Sequence, residues 1–206
     1  MKLYVDRLAP NARRVLMFVA EKTIELSIVE VNVAEDEHRS DDFLAMNPLG
    51  QVPVLELSNG SCISESMAIC RYLDESFPQT ALFGLGAEQR AIVHMWSRRV
   101  ELGLFVAAVD LGHHSNPAFR GQFEQVPAYA ELCRASIARS CELLDTQLKT
   151  TRFVAGDEFS VADIVAYCGV ELARLWEATP GTALQSLGRW QQETAARPSA
   201  AVARYS

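Results

Sequence analysis

Two short segments carry backbone and side chains in patterns that bind ligands. In Asn47-Pro48-Leu49-Gly50-Gln51-Val52-Pro53-Val54-Leu55 a proline stands directly before a strand-like run. Proline cannot donate to a ladder, so it belongs at the strand's start, where a cis peptide leaves the preceding N–H and C=O exposed. Such a pair docks an extended peptide by strand addition, the alternative being that Val52-Pro53 only makes an edge turn. The second segment, Ile63-Ser64-Glu65-Ser66, opens a strongly apolar helical pattern. Backbone N–H groups at a helix start, with the dipole and a serine hydroxyl, hold a carboxylate; Ser64 also reads as an ordinary N-cap.

The sulfur chemistry of the chain itself is less promising. Cys62, Cys70, Cys133, Cys141 and Cys168 form no CxxC pair and are odd in number, which indicates neither a disulfide framework nor a zinc site, and no metal site is expected. Cys133, Ile137, Cys141, Leu144 and Leu148 recur at helical steps, so two of the cysteines belong to an apolar stripe and to packing.

The elements around these segments alternate at first. Residues 2–5 read as a strand, 10–22 as a helix and 28–33 as a β-branched second strand, a βαβ opening. A short helix at 41–45, a strand at 52–57, the hairpin dipeptide Asn59-Gly60 and a strand at 61–63 follow. From Glu65 the pattern is helical, with Ile69, Tyr72, Leu73 and Phe77 on one face, and Phe77-Pro78 stops it. Beyond a linker at 78–87 every periodic stretch is helical: 88–111, 128–149, 160–176 and 183–195. The breakers between them are Asn116-Pro117, Val126-Pro127, Ala155-Gly156-Asp157 and Pro180-Gly181. Ser160-Val161-Ala162-Asp163 has the form of a capping box, with Phe159 and Ile164 as its hydrophobic staple. The expected organisation is therefore a mixed α/β domain at 1–77 followed by an all-helical one at 88–206.

Composition narrows the function class. With 206 residues, 49% of them hydrophobic, the chain has ample material for a packed core. A net charge of −7, with acidic excess concentrated in residues 1–80 (13 acidic, 7 basic), argues against a nucleic-acid surface and favours small-molecule partners. The N-terminal residues lack the apolar stretch of a signal peptide and the apolar runs are too short to span a bilayer. A soluble, cytoplasmic protein is the expectation.

Taken in order and spacing, the segments resemble the cytosolic glutathione S-transferases. The match runs through Asn47-Pro48-x-Gly50-x-Val52-Pro53-x-Leu55, Glu65-Ser66-x-Ala68-Ile69 and Tyr72-Leu73, then Phe153-Val154-Ala155-Gly156-Asp157 and Phe159-Ser160-Val161-Ala162-Asp163. It covers essentially the whole chain. The resemblance implies a thioredoxin-like N-terminal domain, a helical-bundle C-terminal domain, glutathione as co-substrate and a homodimer. It implies that the Val52 backbone, before cis-Pro53, pairs with the cysteinyl part of glutathione and that Glu65 and Ser66 hold the γ-glutamyl end. Gln51 and His38 match positions used near the glycine end, although His38 also reads as part of a solvated acidic loop. The second substrate, an electrophile or a disulfide, is expected between the domains, with Trp96, Arg99, Phe105, His113 and His114 as candidate lining residues, each of which also reads as core or surface packing.

A transferase of this kind must hold glutathione as thiolate, which needs a donor beside the sulfur. Related enzymes supply it from Tyr, Ser or Cys near the first helix; here Ala9 and Pro10 occupy those places. Asn11 remains, and its amide can donate to sulfur while the helix start adds favourable potential, or it simply caps the helix. Tyr4, on a strand, reads as packing. The Pro-Asn pair resembles that of bacterial relatives in which Asn faces the thiol, some of them glutathione-dependent disulfide reductases. Conjugation is the leading expectation, with disulfide reduction and non-catalytic glutathione binding as alternatives. Arg13 and Arg14 oppose the dipole of the first helix, and one of them is expected to pair with a carboxylate or to cross a dimer interface.

Overall fold

The computed structural model describes residues 1–122, 124–180 and 183–205. They divide into a sheet unit, 1–81 with 201–203, and a helical unit, 82–200 with the residues from Arg204 on.

The sheet unit follows the alternating pattern of the first eighty residues. Strand β1 (Lys2–Val5) leads into helix α1 (Pro10–Glu21), which begins where Pro10 occupies the first helical position and Ala9 serves as an N-cap without a side-chain hydrogen bond. Proline is preorganised for that place because its missing N–H is not needed there. Asn11 is thus the second residue of the helix rather than its cap. Strand β2 (Ser27–Glu30) runs parallel to β1, while β3 (Val54–Glu56) pairs antiparallel with β1 and β4 (Cys62–Ile63) antiparallel with β3, giving the order β2-β1-β3-β4. The strand expected to reach residue 33 stops sooner because Asn32 accepts from the N–H groups of Ala34 and Glu35 and turns the chain into a 3-10 segment. Helix α2 (Asp41–Met46) is capped by Ser40, and α3 (Ser66–Ser76) completes the unit. This parallel-then-antiparallel sheet with its helices is thioredoxin-like.

Residues 78–81 stay with the sheet unit. The Lys22 ammonium, whose side chain is fully buried, meets the Asp74 carboxylate at 2.7 Å and donates to the Thr80 carbonyl at 2.6 Å. One cation thereby ties the end of α1 to α3 and to the segment that follows it.

In the helical unit, α6 (Pro127–Leu148) carries the predicted stripe inward: Cys133, Ile137, Cys141, Leu144 and Leu148 are all buried. Burial pushes the Cys141 thiol up to about 12, as suits a packing residue. The helix expected over 88–111 is longer and not uniform. Helix α4 (Gly86–Val100) passes through a π-helical turn, Glu101–Phe105, into α5 (Val106–Ser115). The turn lies where Gly103 approaches α6 closely: its carbonyl accepts from Ser136 Oγ at 2.9 Å, and a Cβ on Gly103 would meet Ser140 Oγ at 2.7 Å. Helices α7 (Val161–Leu175) and α8 (Gln185–Ala195) complete the bundle. The breaker Pro180-Gly181 lies partly outside the described residues.

Helix α7 starts in a capping box, as the sequence predicts, but its acidic member does more than cap. Fully buried, Asp163 accepts from Ser160 N–H and Oγ, both at 3.0 Å, and from Val154 N–H and Trp190 Nε1, both at 2.8 Å. Phe159 packs edge-on against Phe153 under the Arg197 guanidinium. No helix among the described residues is long and apolar enough to cross a membrane.

Candidate functional site

The residues singled out by type and spacing meet in the sheet unit. Asn11 from α1, Asn47, Gln51, Val52 and Pro53 from the turn before β3, and Glu65 and Ser66 from the start of α3 line one shallow cleft. The turn is built by Asn47. Its buried amide donates from Nδ2 to the Gln51 carbonyl at 2.7 Å and accepts at Oδ1 from Leu49 N–H at 3.2 Å, while its own carbonyl accepts from Gly50 N–H. Gly50 has φ of +58°, and a Cβ there would come within 3.0 Å of the His38 carbonyl, so the turn needs glycine on two counts. The Val52-Pro53 peptide is cis. Pairing between β1 and β3 ends at Tyr4 opposite Val54, which leaves the Val52 backbone outside the paired segment. The sequence signal for this clamp is the Asn-Pro dipeptide, because Asn ahead of a turn hydrogen-bonds its own nearby backbone.

At the other wall, Glu65 is the exposed N-cap of α3 with φ of +67° and ψ of 113°, while Ser66 is buried. Ser64, which reads as an N-cap in the sequence, therefore lies one residue outside. A non-glycine residue held in that backbone region costs of order 1 kcal/mol or more and marks a place the surrounding structure over-determines. Here the conformation puts a carboxylate and the first N–H groups of α3 on one cleft wall. Glu65 is the one charged side chain lining the cleft among the described residues.

The third wall is the start of α1. No side chain caps it and no acidic residue stands in its first turn, so the positive end of its dipole is not neutralised locally. Asn11 is half-buried, and its amide oxygen accepts from the Arg14 guanidinium. Tyr4 is committed elsewhere: its hydroxyl donates to Glu56 at 2.7 Å, an interaction that raises its pKa, and its ring packs edge-on against Phe43.

His38 is not among the cleft-lining residues, although its carbonyl abuts Gly50 and its Nδ1 is buried without a hydrogen-bond partner among the described residues. The remaining candidates stand in the helical unit. Phe105 is 1% exposed and belongs to that unit's core, and Trp96 is buried beneath the stacked Arg99 guanidinium, 4.9 Å from its ring. His113 is half-buried, packs edge-on against Phe119 and has its pKa lowered by burial. His114 accepts at Nδ1 from Val126 N–H.

A thioredoxin-like unit with such a cleft, joined in one chain to a helical bundle, is the architecture that the sequence resemblance implies. Comparison with known proteins agrees. Residues 9–76 match the N-terminal domain of glutathione S-transferases and residues 110–198 their C-terminal domain. The chain is 32% identical over 203 residues to glutathione S-transferase 2 of Saccharomyces cerevisiae, covering 97% of this chain and 87% of the relative. Among solved structures, a glutathione S-transferase domain-containing protein of Marinobacter aquaeolei superposes with a TM-score of 0.91 at 36% identity, covering 97% and 99% of the two chains. Gtt2 from Saccharomyces cerevisiae gives 0.92 at 30% identity, covering 98% and 100%. The chain belongs to the glutathione S-transferase family.

Proposed function

We propose that this protein is a glutathione transferase that ionises the thiol of bound glutathione and presents it to a small electrophile. The observation that carries the reading is the meeting of Asn11, Val52, Glu65 and Ser66, from three separate segments, in one cleft. Val52 N–H and C=O pair with the cysteinyl residue of the tripeptide as an added strand would. Glu65 accepts from the γ-glutamyl ammonium, while Ser66 and the start of α3 donate to its carboxylate. Gln51 serves the glycine end, with His38 nearby. The sulfur sits at the start of α1, where Asn11 Nδ2 and the helix dipole favour thiolate over thiol. The thiolate attacks an electrophilic carbon, a C–S bond forms, and the leaving group departs with its electron pair or, in an addition, the adduct takes up a proton. Asn11 fills the role of the usual hydroxyl or thiol, with its Pro-Asn setting of the bacterial type.

The test is an ultraviolet titration of thiolate absorbance for glutathione bound to the protein. A bound thiol titrating below the free value of about 8.5, and returning toward it in Asn11→Ala with binding retained, is the expected result. A bound but unshifted thiol removes activation and leaves a binding protein. Turnover of small disulfides without conjugation of aryl halides would replace carbon by sulfur as the point of attack.

The protein works as a homodimer, as the family resemblance implies, and in the cytoplasm. A groove in the helical unit supports self-association: Leu102, Val106 and Leu132, exposed by 58%, 39% and 66%, border it beside the Asp110–Tyr129 pair. Sedimentation should give a dimer in the parent protein and a monomer in Leu102→Glu/Leu132→Glu.

A further inference from the structure

We infer that Arg14 is a positioning residue for the thiol: it holds the Asn11 amide oxygen so that the NH2 group is the face presented to the cleft. The inference rests on the transferase reading and extends it to a residue that does not line the cleft. Its basis is chemical. A guanidinium has five donors and no acceptor, so a hydrogen bond between Arg14 and the Asn11 carboxamide can use only the amide oxygen, and it is Oδ1 that Arg14 Nη2 reaches. With Oδ1 taken from one side, the remaining hydrogen-bonding group of Asn11, at a position that lines the cleft, is the donor pair on Nδ2. Without such a lock, a carboxamide offers its acceptor and donor ends by rotation, and the acceptor end repels a thiolate.

Two further observations fit this role. Arg14 is 4% exposed, so its fork is held by packing rather than free to sample solvent. It also stands three residues after Asn11 on α1, close to one helical turn on, so its guanidinium meets the amide from within the same helix. An amide drawn from its oxygen end by a positive charge becomes a stronger N–H donor. Among the described residues Glu65 is the charged side chain that lines the cleft, and Arg14 stands behind Asn11.

The experiment is the same thiolate titration, run as a double-mutant cycle on full-length protein with glutathione bound. Arg14→Met is expected to raise the titration midpoint of the bound thiol by about one unit, tenfold less thiolate at a given pH below it. Arg14→Lys, which keeps a donor but loses the fork, is expected to recover part of the shift. In an Asn11→Ala background, Arg14→Met is expected to change nothing further. An equal shift in that background would overturn the inference, because Arg14 would then act on sulfur by charge alone. An unmoved midpoint in Arg14→Met alone overturns it too. If glutathione binds and Asn11→Ala itself leaves the midpoint unmoved, the role of Asn11 falls and the inference with it, while loss of an effect in the arginine variants alone leaves Asn11 standing. Should Arg14→Met fail to fold, nitrogen relaxation of the Asn11 side-chain amide in the unmodified protein decides. An amide as rigid as the backbone supports the lock, and a freely rotating one refutes it.

Discussion

Asp163 shows how far a single carboxylate can be committed. Burial pushes its pKa up to about 6, against the pull of the four donors that surround it. An ordinary aspartate near 3.8 in the unfolded chain has already released its proton where the native one still holds it. This group's contribution to stability is thus fully present below about pH 4, falls as pH rises to about 6, and is level above; the difference of roughly two units corresponds to about 3 kcal/mol. Asp163→Asn should abolish that slope in urea unfolding between pH 4 and 6. It should also destabilise at every pH, because the new NH2 must face either Ser160 N–H or the Val154 and Trp190 donors. Glu65 makes the opposite case, a residue whose backbone works against the fold. Glu65→Gly relieves the positive φ while raising unfolded-chain entropy, so thermal stability should stay within a few degrees of the parent. Loss of the carboxylate should weaken glutathione binding at least tenfold by calorimetry, separating ligand holding from folding in one variant.

Among the elements, α1 and α3 are joined by a pair of charges that composition does not reveal. Removing the Asp74 carboxylate leaves the buried Lys22 ammonium with no anionic partner among the described residues, only two carbonyls and the Phe18 ring, a change of the kind that costs roughly 3–5 kcal/mol. Asp74→Ala should therefore lower the unfolding midpoint strongly, and Lys22→Met/Asp74→Leu should recover most of the loss. Neither residue stood out in the sequence, since a lysine at a helix end and an aspartate in a helix are ordinary surface residues by type. What was legible had a local cause: the Pro10 helix start, the Asn59-Gly60 hairpin, the α6 stripe and the Ser160 box are each written in adjacent residues. What was not legible depends on neighbours far along the chain. The π-helical turn at 101–105 answers the approach of Gly103 to Ser136 and Ser140, and a periodic apolar pattern continues smoothly through such a change of register. The segments that line the cleft are local in sequence, whereas the clamp made by Asn47 and the contact of Arg14 with Asn11 depend on side-chain geometry that residue types do not carry.

For the whole molecule, the two units are not consecutive pieces of chain. Residues 201–203 belong to the sheet unit, where Arg13 Nη1 donates to the Val202 carbonyl at 3.5 Å and Ala203 is wholly buried. Ala203→Asp should accordingly raise hydrogen exchange within 1–81 more than within α7. The same return of the chain sets an order of events on the ribosome. The sheet unit is translated first, yet it waits for the entire helical bundle to be synthesised before its last three residues arrive. The cleft lined by Asn11, Val52 and Glu65 is framed by an early-made unit that is finished late, so a nascent chain is expected to expose α1 until residues 201–203 have been made.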